Sequence, residues 1–394
     1  MVDAIVKLVL PALRMLASGE NVPTLRLDDR EAFAQLADDQ QVRELLVLPE
    51  EASVLVVDET TDPEEIVADL EVKLSMWKDN RPDFPDYVLL KEIGLVALAQ
   101  YAAQLDEMFG GVVLDYEISF GRLANKIAIV TGAAMGFGAG IAEMLFEEGA
   151  NVVIADWNEE EGMKMAARLN GGDTSNRAHF VKVDVSDAAS VENMVASTTK
   201  HFGGLDLIIS NAGVLRAGGL DEMTPENFDF MTNVNYKGYF LCAKYSSAVM
   251  KIQSKYRENY FTDIIQINSK SGLKGSNRNF AYAGGKFGGI GLTQSFAMEL
   301  MPNKIKVNSI CPGNFFEGPL WSDPDKGLFV QYLRAGKVLG AKTIEDVKVF
   351  YEKQVPAGRG CRVIDVFRAI LYLVEQEYET GQAVPVTGGQ NMLN

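Results

Sequence analysis

The sequence predicts an α/β fold: a doubly wound, seven-stranded parallel sheet, preceded by a small acidic α/β extension at the N-terminus. Three observations carry this expectation. A chain of 394 residues is longer than one ordinary core organises, so a large domain with an appendage is expected. From about Leu123 onward, short β-branched runs alternate with longer helical patterns, the mark of right-handed βαβ units. The charge is also lopsided: residues 1–120 hold 25 acidic and 9 basic side chains, leaving 29 and 28 for the rest.

Strands are read at Ile127–Thr131, 152–156, 180–184, 205–210, 264–268, 305–310 and 383–387. Most lack polar alternation, as strands covered on both faces do. In the first 120 residues helices are expected over 5–16, 31–45 and 63–77, and strands at Val54–Val57 and Tyr87–Leu90. The stretch 81–85, with Pro82 and Pro85, reads as a loop. The boundary is set near Gly121, which divides the chain into 1–120 and 121–394, and no internal repeat is visible.

Composition excludes several functions. The net charge of −17 repels phosphate backbones and anionic lipid, so no nucleic acid and no membrane partner is expected. Cys242, Cys311 and Cys361 are too few and too scattered for a disulfide framework or a metal knuckle, and with two histidines no metal site is expected. The apolar start, 1–18, is broken by Asp3, Lys7, Pro11 and Arg14 and reads as an amphipathic helix rather than a signal peptide. No uncharged run approaches the roughly 18 residues that span a bilayer, and a cytoplasmic location is expected.

The segment 126–149 reads as strand, tight glycine turn and helix, the phosphate-binding start of a Rossmann sheet. The turn holds Thr131, Gly132, Ala133, Ala134, Met135, Gly136, Phe137 and Gly138. Its glycines permit close approach of a pyrophosphate to the positive end of the helix, which Gly149 then closes. Asp156 ends the next strand, with Trp157 beside it, where a carboxylate accepts the ribose hydroxyls of NAD and repels the 2′-phosphate of NADP. No Lys or Arg follows until Lys164, so NAD is the expected cofactor. Asp184 and Val185 end the third strand, where they would meet the adenine, and Asn211, Ala212 and Gly213 follow the fourth. All lie at carboxyl ends of strands, where open α/β sheets hold ligands.

Ser269 follows the strand 264–268; Tyr282 and Lys286 come later, four residues apart and therefore on one helix face. A phenol titrates near 10, and a neighbouring ammonium favours the phenolate, bringing it closer to use as a general base. Ser269 would hydrogen-bond the substrate oxygen.

Thr-Gly-x-x-x-Gly-x-Gly at 131–138, Asn-Ala-Gly at 211–213, Ser269 and Tyr-x-x-x-Lys at 282–286 resemble the short-chain dehydrogenase/reductase family. The resemblance covers roughly 122–394 and implies hydride transfer between a secondary alcohol and a nicotinamide. It implies that Asn235 is the fourth catalytic position, which kinks a helix and anchors a water linking Lys286 to solvent. It likewise places Pro312 and Gly313 near the nicotinamide amide, and pairs long helices between subunits of a homotetramer. Ile-Ile-Gln-Ile-Asn-Ser-Lys-Ser-Gly at 264–272, Lys286-Phe-Gly-Gly, Gly291-Leu-Thr-Gln-Ser, Gly358-Arg-Gly-Cys and Thr387-Gly-Gly-Gln are similar to one branch of that family. That branch interconverts sorbitol 6-phosphate and fructose 6-phosphate with NAD.

A sugar phosphate needs a cationic seat, for which Lys270, Lys274 and Arg278 are the candidates. The leader is foreign to that branch. Its end, 86–124, resembles the tail of a class II aldolase domain, but the histidines such an aldolase needs for its metal are absent from it, so no aldolase activity is expected. Two alternatives stand beside this reading: another polyol or hydroxy compound as substrate, or a non-catalytic NAD-binding regulatory or scaffold protein. Intact Asn235, Ser269, Tyr282 and Lys286 argue against the second.

Overall fold

The computed structural model describes residues 4–19, 22–57, 60, 62–81, 83–109, 121–171, 176–216, 218–325, 327–334, 336 and 338–392. Two sheets organise them. The first is made of β1 (Thr24–Asp28), β2 (Val54–Val57), β3 (Tyr87–Leu90) and β4 (Gly94–Ala99) in the order β1-β4-β3-β2. Around it lie α1 (Leu10–Ala17), α2 (Glu31–Ala34), α3 (Asp39–Leu46), α4 (Pro63–Asn80) and α5 (Ala102–Met108). β2 and β3 run parallel because α4 carries the chain across between them. Pro63 at the first helical turn and the Asp62 carboxylate, which accepts from the amides of Glu64 and Glu65, start that helix.

The helix expected over 31–45 is two helices. Asp38 interrupts it, its extended backbone and carboxylate capping α3 through the Gln41 amide. β1 and β4 were not among the expected strands; β4 reads Gly-Leu-Val-Ala-Leu-Ala, an apolar run rich in helix formers that becomes a strand because it is central and buried along its length. Of the aldolase-like segment 86–124, residues 110–120 lie outside the described ones.

The second sheet contains all seven expected strands, β5 (Ile127–Thr131), β6 (Asn151–Asp156), β7 (Ala178–Lys182), β8 (Leu207–Ser210), β9 (Thr262–Ile267), β10 (Ile305–Pro312) and β11 (Ala383–Val386), every pair parallel. β7 ends two residues earlier than expected, because the Asp184 carboxylate turns back to accept from the amide and hydroxyl of Ser186 at 2.9 and 2.7 Å. The helices are α6 (Gly136–Glu147), α7 (Glu159–Leu169), α8 (Ala188–Phe202), α9 (Pro225–Thr232), α10 (Gly238–Tyr256), α11 (Phe280–Leu300), α12 (Pro319–Ser322), α13 (Leu328–Arg334), α14 (Ile344–Lys353) and α15 (Val363–Glu375). One face buries Met194, Phe202, Cys242, Met250 and Leu300 of α8, α10 and α11. The other buries Ile141, Leu145, Met165, Phe367 and Ile370 of α6, α7 and α15. Apolar layers on both faces explain the near-continuous apolar strands.

The strand order is β11-β10-β9-β8-β5-β6-β7. The chain therefore winds outward from β5 to β7 and restarts at β8 on the other side of β5, opening a crevice above the carboxyl ends of these neighbours. The leader meets this sheet elsewhere. Ile5, Val9, Leu10 and Leu13 form one core with Leu25, Ile66 and Val96, and Ala196 of α8 and Ile252 and Tyr256 of α10 pack onto it. At the amino edge of the sheet Arg14, fully buried, donates to both oxygens of Asp206 at 2.9 and 2.8 Å.

Candidate functional site

A cavity of about 1220 Å³ opens at the crevice, larger than the roughly 300–1,000 Å³ typical of small-ligand sites. One end is built by the turn after β5. Gly132 has φ +66°, and a Cβ there would meet Ala212 at 3.0 Å; at Gly138 a Cβ would come 2.0 Å from the Gly132 carbonyl oxygen. Neither position accepts a side chain without moving backbone, so the turn stays thin where a pyrophosphate must approach. Thr131 is buried behind it, its hydroxyl accepting from the amides of Asn211 and Ala212 at 3.0 and 3.1 Å. The Asn211 side chain donates to the carbonyls of Thr131 and Gly132 at 2.9 and 3.2 Å, locking the β5 and β8 ends together.

Asp156 lines the same end, with one oxygen accepting from the Ala134 amide at 2.9 Å and the other from the Asn158 amide at 2.8 Å. Its carboxylate is thereby held at the cavity wall. Met135, Gly136, Phe137, Trp157, Asp184 and Val185 line this end too. Thr131 and Gly138 lie buried behind the wall rather than on it. A glycine cradle and a fixed carboxylate at a strand end fit a nicotinamide dinucleotide.

At the other end Ser269, extended at the close of β9, caps the short turn Lys270–Gly272 by accepting from the Ser271 amide at 3.1 Å. Its hydroxyl and the Tyr282 phenol line the same stretch of wall, and the Ser269 hydroxyl acts to lower the phenol's pKa. One turn along α11, the Lys286 ammonium lies 5.6 Å from the Tyr282 ring centroid and donates to the Ile267 carbonyl at 3.0 Å. Asn268 ties strand to helix, its amide donating to the Lys286 carbonyl at 2.9 Å. Ser269, Tyr282 and Lys286 thus meet at the wall, with Gly213, Pro312 and Gly313 beside them.

Asn235 falls in a π-turn, Asn233–Lys237, between α9 and α10, so the helix is indeed distorted there. It is buried and brackets Val214, accepting from its amide and donating to its carbonyl, both at 2.8 Å. A methyl group on Gly213 would lie 3.1 Å from Oδ1 of Asn235 and 3.9 Å from Nζ of Lys286, so the three converge although Asn235 stands behind the wall.

Two expectations need correction. The ammonium does not draw Tyr282 toward phenolate. Burial pushes the phenol up, opposed by the neighbouring Ser269 hydroxyl, and burial also pushes Lys286 down to about 8, with its ammonium directed at a carbonyl. Lys274 does not belong to the cavity: it lies past the turn Lys270–Gly272, off the lining. Lys270 and Arg278 do line it, Arg278 already ion-paired with Glu222.

Sequence reading missed the roof. Phe315 stacks on Phe137, their centroids 4.2 Å apart, and Trp321, Tyr332 and Tyr351 close the substrate end. Their apolar base is Phe316, Phe329, Val338, Val347 and Val355. The aromatic richness of 315–351, between β10 and α15, was the available signal. The Glu222 loop gave only a Gly218-Gly219 pair.

The model of the short chain dehydrogenase family matches residues 126–320. Sorbitol-6-phosphate 2-dehydrogenase of Escherichia coli (strain K12) is 34% identical over 271 residues, 68% of this chain and 100% of that protein. Trans-4-hydroxycyclohexanecarboxylate dehydrogenase of Sinomonas cyclohexanicum is 32% identical over 279 residues, 69% of this chain and 95% of that protein. Among solved structures, sorbitol-6-phosphate 2-dehydrogenase from Erwinia amylovora superposes with a TM-score of 0.62 at 38% identity, covering 68% of this chain and 100% of that one. The 3-ketoacyl-(acyl-carrier-protein) reductase from Brucella melitensis, complexed with NADH, gives 0.58 at 25%, covering 68% and 100%. With fold, site and relatives in agreement, the chain belongs to the short-chain dehydrogenase/reductase family, oxidoreductases that use a nicotinamide cofactor.

Proposed function

We propose that the protein is an NAD-dependent dehydrogenase interconverting a sugar-alcohol phosphate and a keto-sugar phosphate, sorbitol 6-phosphate and fructose 6-phosphate. The observation that carries the reaction is the convergence of Ser269, Tyr282 and Lys286 on one stretch of the cavity wall, with the Lys286 ammonium 5.6 Å from the Tyr282 ring centroid, at the end of the cavity away from Asp156. Lys270 supports the anionic substrate: it is partly buried, lines the cavity, and burial pushes its ammonium down with no compensating carboxylate among the described residues. Arg278 is the second member of that seat, and Lys274 is left out of it.

The dinucleotide would be held by the Gly132–Gly138 turn, Asp156, Asp184 and Val185, the Asn211–Gly213 segment, and Pro312 and Gly313; when bound it supplies or accepts the hydride. Ser269 orients the substrate oxygen, and Tyr282 exchanges a proton with it. Lys286 and Asn235, converging on Gly213, line the path that restores that proton. The Asp156 carboxylate would accept ribose hydroxyls and repel a 2′-phosphate, which favours NAD.

The separate four- and seven-stranded sheets support assigning 1–120 to a leader and 121–394 to the NAD-binding domain. Exposed Phe240, Phe287 and Met298 on α10 and α11 support a homotetramer. Three buried free cysteines fit a reducing compartment such as the cytoplasm, and no helix among the described residues is long and apolar enough to cross a membrane.

The aromatic roof favours a second reading, a ring-bearing or other hydroxy compound as substrate. Oxidation of NADH and NADPH with fructose 6-phosphate beside unphosphorylated fructose separates these. Turnover with NADH and the phosphorylated ketose is expected; equal rates with fructose would remove the phosphate requirement, and a preference for NADPH would remove the role given to Asp156.

A further inference from the structure

Glu222 and Arg278 come from two different loops that form one wall of the substrate end. Glu222 lies in the loop between β8 and α9, and Arg278 in the loop leading into α11. Their side chains form an ion pair, and the Gly219 amide donates to the other carboxylate oxygen at 3.1 Å. The Gly218 amide donates to the Arg278 carbonyl at 2.9 Å, and Arg278 itself sits at φ +55°. The Arg278 backbone is therefore held at the cavity wall, while its guanidinium charge is taken up by a carboxylate of the same protein. Lys270, on the same cavity lining, has no such partner among the described residues.

We propose that Glu222 is an internal competitor for the anionic end of the substrate: its carboxylate occupies Arg278 until a dianionic group displaces it. Glu222 thereby sets how strongly the site prefers a phosphorylated substrate over a neutral one. This inference rests on the sugar-phosphate reading.

The exchange is physically accessible. Both side chains are about half exposed, so the pair sits in water, and pairs of that kind are weak and readily broken. A phosphate offers oxygens that match the planar guanidinium fork, and as a dianion it balances Arg278 and Lys270 together. While the pair is intact, the Gly219 amide and then Arg278 hold the Glu222 carboxyl below the usual range, so the group that competes for Arg278 is a carboxylate. A neutral sugar offers no charge with which to displace it. Once displaced, the carboxylate is free to turn into solvent.

The test is Glu222→Gln in the full chain, which keeps an acceptor for the Gly219 amide and removes the competing charge. The KM for fructose 6-phosphate should fall about two- to fivefold, the range an exposed ion pair supports, and the ratio of KM for fructose to that for fructose 6-phosphate should rise with it. Inorganic phosphate, titrated against the melting temperature, should bind tighter by a similar factor. Both effects should vanish when Arg278→Ala is added. An unchanged or raised KM for the phosphorylated sugar together with unchanged phosphate affinity would overturn the proposal. So would an effect that persists without Arg278, since Glu222 would then act only as a loop latch. If the parent protein does not reduce fructose 6-phosphate at all, the substrate reading fails, and the phosphate titration alone decides the role of Glu222.

Discussion

The two ends of the seven-stranded sheet bury the same kinds of side chain and treat them in opposite ways. At the amino edge Asp206 accepts from both Arg14 nitrogens, from the Ile127 amide and the Tyr260 hydroxyl at 2.8 Å each, and from Gln253 at 3.1 Å. Burial opposes its charge, yet Arg14, and after it Lys126 and the Ile127 amide, hold it well below the usual carboxylate range. At the carboxyl edge Lys286 is equally buried, meets one carbonyl, and is pushed down to about 8. Burial alone does not mark function. A compensated cluster joins the leader to the sheet, whereas at Lys286 a buried charge is left uncompensated on the cavity lining, the pattern expected of a ligand site.

The largest effect that would sharpen this contrast is at Tyr282. Tyr282→Phe should lower turnover by about 10²–10⁴-fold with the melting temperature and NADH binding retained, read by steady-state kinetics and NADH fluorescence titration. At the other edge, Arg14→Met leaves Asp206 buried without its cation and should cost about 3–5 kcal/mol in a denaturant titration. Turnover per folded molecule should stay at the parent value, because Arg14 lies on the opposite edge from the cavity. Comparable loss of turnover in that variant would break the comparison.

Between the edges, the leader junction supplies a pH effect. His179 and His201 stack with centroids 4.1 Å apart, and Arg26, paired with Asp106, comes 3.3 Å from Nε2 of His201. Burial first, then Arg26, pushes His179 down to about 4, and burial, then Arg26 and His179, hold His201 well below its ordinary value too. An unfolded histidine titrates near 6.5, so between about pH 6.5 and 4 the unfolded chain binds more protons and stability falls as the pH drops. Urea titrations across that window should lose on the order of 1–3 kcal/mol, and His179→Phe with His201→Phe should flatten the loss. A smaller effect is expected at Asp156→Asn, which keeps an acceptor but removes the charge. The preference for NADH over NADPH in kcat/KM should drop about tenfold, or ~1.4 kcal/mol.

What was legible in the sequence follows the same division. The carboxyl-edge residues sit on local patterns: a glycine turn between strand and helix at 132–138, an acid at a strand end at 156, a tyrosine and lysine one helical turn apart at 282 and 286. The Arg14–Asp206 pair spans 192 positions and belongs to no local pattern, so the docking of the leader was invisible. The same limit hid the sheet partners β1 and β4, whose pairing from Thr24 to Ala99 decides their state. It hid Glu222 as well, 56 positions from the arginine it neutralises. The pKa of Tyr282 was misjudged for a related reason: i, i+4 spacing gives proximity to Lys286, but not the burial that dominates both groups.

The most direct test of an uncompensated, functional charge is Lys286→Met, read in one sample for melting temperature and turnover. Taking the ammonium from its ordinary 10.5 to about 8 represents on the order of 3 kcal/mol that the folded protein forgoes below pH 8, a penalty that shrinks as pH rises toward the unfolded value. The account predicts turnover lost by orders of magnitude and a melting temperature at pH 7 no lower than the parent's. A melting temperature that falls in parallel with turnover, or turnover that survives, would contradict it.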